Sequence, residues 1–396
     1  MRNYVLMAGG LPALLTVAAA CFNYAADPYL MHQWDTPRLA LLRPAVEKMN
    51  AWGKAYALAR YRPETVYLGN SRTELGLPAD GSQRVFNAAL SGSTVGDAIK
   101  MLRHVVAVAP VQRIVWGIDA SSFSLAVGNS DIEPDMLADG AHYLAHRVLS
   151  DLRRSVSLEM TRDSLALLHG QTAPVCRSSL YSFGQRDGNC LAKRLQEWGG
   201  TAEVMQVRTE QFLQGPGPQA DAMEALESVL RQHCGLHVDL YINPTHAVTI
   251  DAWYQAGRGA AYESWLTGLA ASAARLRKAG CEVRVFDFSG FNAVTSEAVP
   301  PHGSRNDMQN FWEASHYRAN VGAMILQRLS GGALTFPGFG EELLPATIAA
   351  HVAGLRAARL LFEQAYPDEA QMATRASRNT RNIPPRGTPA TCCTPG

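Results

Sequence analysis

The chain lacks the signals that announce a metal, a nucleotide or a nucleic acid. No Cys-x-x-Cys pair occurs among its seven cysteines, which removes the common zinc-ribbon patterns. His142 and His146 are spaced to share a helix face, but Tyr143 stands where a zinc protease carries its Glu. No metal and no cofactor are therefore expected. Gly92-Ser-Thr-Val-Gly96 lacks the Lys and the full glycine pattern of a phosphate-binding loop. The 36 basic and 35 acidic residues give a formal net charge of +1, so no charge excess invites nucleic acid.

Charge is also missing from the N-terminus. Asn3 to Ala26 is a run of 24 uncharged residues, and a helix needs about 20 apolar residues to cross a bilayer. Arg2 precedes the run, while Asp27 and Asp35 are the first charges after it. That asymmetry predicts an uncleaved single-pass anchor over 1–26, in the inner (cytoplasmic) membrane, with the rest exported to the periplasm or outside. Ala18-Ala19-Ala20 keeps a cleaved signal peptide open, and Cys21 keeps a lipoprotein open.

The remainder is rich enough to fold. Of 396 residues, 47% are hydrophobic and 18% charged, sufficient for one large core or two smaller ones. Short apolar runs at 65–68, 85–88, 113–117, 236–242 and 282–286 alternate with stretches of helical spacing, such as Val95, Ile99, Leu102 and Val105. Strands separated by helices imply parallel pairing through right-handed crossovers, hence an α/β three-layer sandwich with a mainly parallel sheet. A mostly helical insertion is expected at about 132–217. The polar stretch 367–396, with Arg375, Arg378, Arg381 and Arg386 among Pro, Thr and Ser, reads as a disordered tail. Cys176 with Cys190, and Cys234 with Cys281, are candidate pairs in an exported chain. Cys392 and Cys393 lie in the tail, and the odd total leaves at least one thiol free or paired between chains.

In such sheets the site lies at the carboxyl ends of the strands. Tyr67-Leu68-Gly69-Asn70-Ser71 reads as a strand that stops at a Gly and presents a Ser. Glu313-Ala-Ser-His316 places a carboxylate one helical turn before a His. A hydroxyl to attack, an imidazole to take its proton and an acid to orient the imidazole are the parts of a serine hydrolase. Asp287 is a second candidate for the orienting acid. Asn87, Asp119 and His246 also follow or end strands and are candidate substrate contacts, although Asp119 could equally cap the element after it and His246 could be structural.

These blocks resemble the SGNH (GDSL-like) hydrolase superfamily, and more narrowly its membrane-anchored bacterial branch, to which O-acetyltransferases of alginate and similar exopolysaccharides are related. The match runs roughly from Thr65 to Leu329 around the insertion. The nucleophile block, Gly-Asp-Ser, appears as Gly69-Asn70-Ser71. The second block, a Gly whose amide serves the oxyanion hole, matches Gly92, and Asp-x-x-His appears as Glu313-Ala-Ser-His316. The third departs: Gly117-Ile118-Asp119 stands where the family has Gly-x-Asn-Asp, and an ionised Asp cannot donate to an oxyanion. Losing one such donor lowers turnover on the order of 100- to 1000-fold.

The resemblance implies Ser71, His316 and Glu313 as a catalytic set acting on an acylated sugar or polysaccharide. It also implies, for a transferase, a separate membrane protein that exports acyl groups, with the chain held at the membrane by its N-terminal helix. A catalytically silent relative that binds a glycan or a membrane partner is the alternative. An unrelated Rossmann-like enzyme would leave Ser71 and His316 far apart.

Overall fold

The computed structural model describes residues 2–29, 50–82, 84–126, 128, 132, 136–138, 143–169, 183–186, 188, 191, 195–304 and 307–381. Thr36-Pro37, which reads in the sequence as a helix N-cap followed by Pro at the first helical position, His142, the Cys176–Cys190 pair and the stretch beyond Arg381 lie outside them.

The first half runs α1 (Arg2–Ala26), α2 (Asn50–Tyr61), β1 (Thr65–Leu68), α3 (Ser71–Gly76), β2 (Val85–Asn87), α4 (Val95–Val108) and β3 (Arg113–Ile118). Within the insertion the described helices are α5 (Tyr143–Ser155), α6 (Leu158–Leu168) and α7 (Thr201–Leu213). Then come α8 (Ala220–Gln232), β4 (His237–Ile242), α9 (Ala247–Gln255), α10 (Gly259–Lys278) and β5 (Glu282–Asp287). The chain continues through α11 (Ala319–Leu329), β6 (Glu341–Glu342), α12 (Ile348–Ala365) and α13 (Pro367–Arg381).

The strands form one sheet in the order β2-β1-β3-β4-β5-β6. All neighbours are parallel except β5 and β6, so the sheet is mixed and mostly parallel. Strand interiors such as Val66, Leu68, Ile114, Trp116, Leu240 and Val285 are buried, as expected where helices cover both faces. The order reverses direction between β1 and β3, which opens a crevice at their carboxyl ends. Sequence locality explains the flanks. Thr94 and Asp97 form a capping box at the start of α4, which satisfies amides the helix leaves unpaired.

Cys234 and Cys281 precede β4 and β5, and because those strands are parallel neighbours the two cysteines meet in a disulfide. Cys21 is exposed and free.

Two expectations change. Among the described residues no helix is long and apolar enough to cross a membrane, so the transmembrane anchor expected over 1–26 is not supported. Its residues do form a helix, but Pro12 lies inside it and its C-terminal end belongs to the globular body. Asn23 is fully buried there and donates to the Ser155 carbonyl (2.8 Å) and to Thr161 Oγ1 (2.9 Å). The polar stretch read as a tail also begins with structure: α13 buries Met372, Ala373 and Ala376 and packs on α9 and α7. Its apolar stripe is too narrow to stand out against its arginines in composition.

The helix carrying Ser71 and the helix after His316 touch through glycines. A Cβ on Gly322 of α11 would sit 1.9 Å from the Gly76 carbonyl oxygen of α3, and a Cβ on Gly76 would sit 2.0 Å from the Tyr317 ring. An Ala in an exposed helix interior is normally stabilising by about 1 kcal/mol over Gly. Here Gly322→Ala is expected to lower stability by about 2 kcal/mol through overpacking, read as a fall in the urea midpoint. A rise would show that α3 and α11 are not held by this contact.

Candidate active site

Ser71 follows β1 by way of Gly69, whose φ of +140° and proximity to Thr73 and the Gly117 carbonyl leave no room for a side chain. The backbone reverses there, and Asn70 caps α3 by accepting from the Arg72 amide at 3.1 Å. Ser71 is the first residue of that helix.

His316 reaches it from 245 residues away, with Nε2 2.8 Å from Ser71 Oγ. Its Nδ1 faces Glu313 Oε1 in a short hydrogen bond. The Glu313–His316 segment is a turn rather than the helical turn expected from the spacing. The carboxylate of Glu313 builds that turn by accepting the backbone amides of Ser315 (3.2 Å) and His316 (3.1 Å), and the Ser315 hydroxyl at 3.0 Å. Burial alone would raise the Glu313 carboxyl. The charge of His316, its hydrogen bond, Arg208 and Ser315 outweigh burial and hold it at about 2. The acid is therefore ionised at neutral pH and favours the imidazolium that forms when His316 takes a proton.

Beneath the three residues lies a buried hydroxyl network. Thr73 Oγ1 meets Tyr241 Oη at 2.8 Å, Tyr241 Oη meets Tyr317 Oη at 3.1 Å, and Tyr317 donates to Asn243 Oδ1 at 3.2 Å. It ties the serine helix, β4 and the histidine turn into one block.

Asp119 is brought to the site but not to its surface. It is buried at the switch point, where it accepts from Asn70 Nδ2, Arg72 Nη1 and Asn243 Nδ2. Arg72 Nη1 also donates to Thr245 Oγ1 at 2.8 Å. Asp119 thus anchors the residues on either side of Ser71. It gives its 3₁₀ turn no side-chain cap. Asn87 and His246, candidate substrate contacts by sequence, are fully buried. Asn87 donates to the carbonyls of Thr73 and Leu77 and accepts from the Ala89 amide. His246 caps α9 and bonds the Glu297 carbonyl at 2.7 Å. Both are framework residues.

Gly92 borders the groove at Ser71 with φ +74°, a conformation that Gly adopts without strain. Its loop rests on a buried ionic cluster for which no local pattern is a cue. Lys54 Nζ donates to Glu74 Oε1 (2.9 Å) and to the Ala89 carbonyl (2.5 Å). The Ser91 hydroxyl donates to Glu74 Oε2 at 2.7 Å and accepts from Arg186 at 2.9 Å. Burial would raise Glu74, but Lys54 and then Arg186 hold it at about 2; burial lowers Lys54.

The groove has a volume of about 480 Å³. Besides Ser71 and His316, its walls carry hydroxyls from Ser93, Thr94, Ser121 and Ser122, while α7 contributes Arg208, Gln211 and Phe212. The Arg72 guanidinium lies 4.4 Å from the centre of the Phe212 ring. The α7 residues belong to the insertion and were invisible as site residues, because nothing in local spacing aims them at Ser71. Among the described residues no group of three or more His, Cys, Asp or Glu could hold a metal ion.

Asp287, the other candidate acid, is committed elsewhere: it accepts from Ser289 and pairs with His351 Nε2 at 2.9 Å. No protein-family model matches the chain, and neither a curated protein nor a solved structure matches it.

Two of these buried charges can be tested singly. Glu74→Gln would leave Lys54 buried without its carboxylate, at an expected cost of about 3 kcal/mol, measured by urea unfolding; an unchanged midpoint would show that the cluster contributes nothing to stability. His351 is pushed down by burial, but Asp287 and then Glu341 lift it to about 9. A raised imidazole contributes fully below its unfolded value of about 6.5 and loses that contribution as pH rises towards 9. Stability is expected to fall by roughly 3 kcal/mol over that window, and His351→Gln should flatten the loss in melting curves recorded across it.

Proposed function

We propose that the chain is a serine acyl-transfer enzyme, an esterase or O-acyltransferase acting on O-acyl groups of a carbohydrate outside the cytoplasm. The observation that carries the reading is the line Ser71 Oγ, His316 Nε2 and Nδ1, Glu313, with the hydroxyl 2.8 Å from the imidazole. Nucleophile, base and orienting acid stand in hydrogen-bonding order, the arrangement that activates a serine. A Rossmann-like enzyme without ester chemistry would have left Ser71 and His316 far apart.

Ser71 Oγ attacks the ester carbonyl carbon as His316 Nε2 takes its proton. The carbonyl oxygen carries the negative charge of the tetrahedral intermediate, and the amides of Ser71 and Gly92 receive it. Collapse breaks the bond to the leaving oxygen, which receives the proton from His316 and departs as the alcohol. Water, or a sugar hydroxyl, then adds to the acyl-enzyme with His316 again taking the proton, and Ser71 leaves with its proton restored. Glu313 stays ionised throughout and offsets the charge of the imidazolium.

The likeness to SGNH hydrolases supports this class, with one exchange. The family's Asp precedes its Ser and the family's Asn stands third in Gly-x-Asn-Asp, whereas here Asn70 and Asp119 hold those two positions in reverse. The two side chains still bond each other, but the hole loses a side-chain donor. That loss favours the silent reading, in which the fold binds a glycan without turning it over. A groove walled by hydroxyls, Gln211 and Arg208 suits a polyhydroxylated acceptor. The Cys234–Cys281 disulfide supports an oxidising compartment, where a transferase needs a membrane protein to deliver acyl groups.

The test is the full chain on 4-nitrophenyl acetate. Ser71→Ala is expected to lose roughly a thousandfold or more, and Glu313→Gln roughly a hundredfold or more, in kcat. Equal rates in wild type and Ser71→Ala would remove Ser71 as nucleophile. No turnover in any of them, with binding of an oligosaccharide retained, would establish the silent reading instead.

A further inference from the structure

Helices α5 and α6 carry apolar stripes that no described residue covers. On α5, Leu144, Val148, Leu149 and Leu152 are each at least 60% exposed, and on α6 Leu158 and Leu168 exceed that value. The α5 positions recur at helical spacing, so they share one face. Isolated exposed leucines are ordinary, but a run of this kind marks a surface that something covers.

The neighbouring α1 says what covers it. It packs on both α5 and α6 through its C-terminal end, while residues 10–18 are exposed at every position. Leu11, Leu14 and Leu15 share one side of the helix with Val17 flanking them, and Gly10, Pro12, Ala13, Thr16 and Ala18 complete its circumference, so every side is uncharged and none is covered by a described residue. A protein partner covers one face of such a helix, whereas a lipid phase wets all of them. Arg153 on α5 and Arg162 on α6 are exposed beside the stripes, where they complement anionic headgroups.

We propose that α5, α6 and the middle of α1 form a membrane-resting face that inserts into one leaflet of a bilayer containing anionic lipid. Since no described helix is long and apolar enough to cross, the contact is with one surface of the membrane. None of these residues borders the Ser71 groove, so the inference is independent of the acyl-transfer reading.

The full chain is mixed with phosphatidylethanolamine–phosphatidylglycerol vesicles and floated on a density gradient. The wild type is expected to rise with the vesicles, and a Leu149→Glu/Leu152→Glu variant to partition at least about tenfold less. Leu158→Glu, at a position 88% exposed and therefore harmless to folding, should weaken flotation in the same direction, and melting curves report whether each variant is folded. Arg153→Gln/Arg162→Gln should weaken binding to these vesicles but not to neutral phosphatidylcholine ones. A wild type that stays at the bottom of the gradient overturns the proposal, as do folded leucine variants that float as well as the wild type. A vesicle-free dimer that the same leucine substitutions dissociate, with no flotation, would assign the face to a second copy of the chain.

Discussion

The approach of α3 to α11 is the constraint on which the site depends. Ser71 opens one of these helices and His316 stands three residues before the other, so the gap between hydroxyl and imidazole is set by how closely the helices pack. Two side chains there would hold the backbones apart; Gly76 and Gly322 remove both. Tyr317 then fills the space beside Gly76 with its ring and turns its hydroxyl to Tyr241 and Asn243. A packing contact and a polar network thus fix one distance, the 2.8 Å between Oγ and Nε2.

Around that contact the protein places its charges in buried pairs rather than at the surface. Arg72 with Asp119, Lys54 with Glu74 and His316 with Glu313 each have both partners largely shielded from water. Such pairs are weak contributors to net stability, because desolvation offsets their attraction. Their effect is geometric: each ties a loop at the carboxyl edge of the sheet to a neighbouring element. Asp119 holds Asn70 and Arg72 about the nucleophile, Glu74 and Lys54 hold the loop of Gly92, and Glu313 holds the turn of His316.

Much of this was legible in the sequence, for local reasons. Alternating apolar runs define the strands, and Ser71 and His316 stand out because a Gly-x-Ser after a strand and an acid three residues before a His are short-range patterns. Cys234 and Cys281 could be paired because parallel strands align their starts. What was not legible depended on tertiary contact. Asp119, Asn87 and His246 sit at strand ends as active-site residues do, yet burial turned all three into framework. The uncharged N-terminal run suggested a span, but a buried Asn23 ties its end to the protein. The arginines of α13 masked a helix that three small or apolar residues suffice to dock. Arg208 and Gln211 could not be placed at all, since only the fold brings α7 to the groove at Ser71.

The position of α13 also orders events in time. The wall of the groove is α7, and α7 is backed by α13, with Asn379 donating to Glu210 at 2.7 Å. Ser71 is synthesised 245 residues before His316, and the brace of the wall comes later still. A nascent chain thus presents Ser71 before the imidazole that bonds it and before the wall of its groove. On the acyl-transfer reading, any reactivity of Ser71 follows the folding of the segment that carries His316 and not the synthesis of the serine itself.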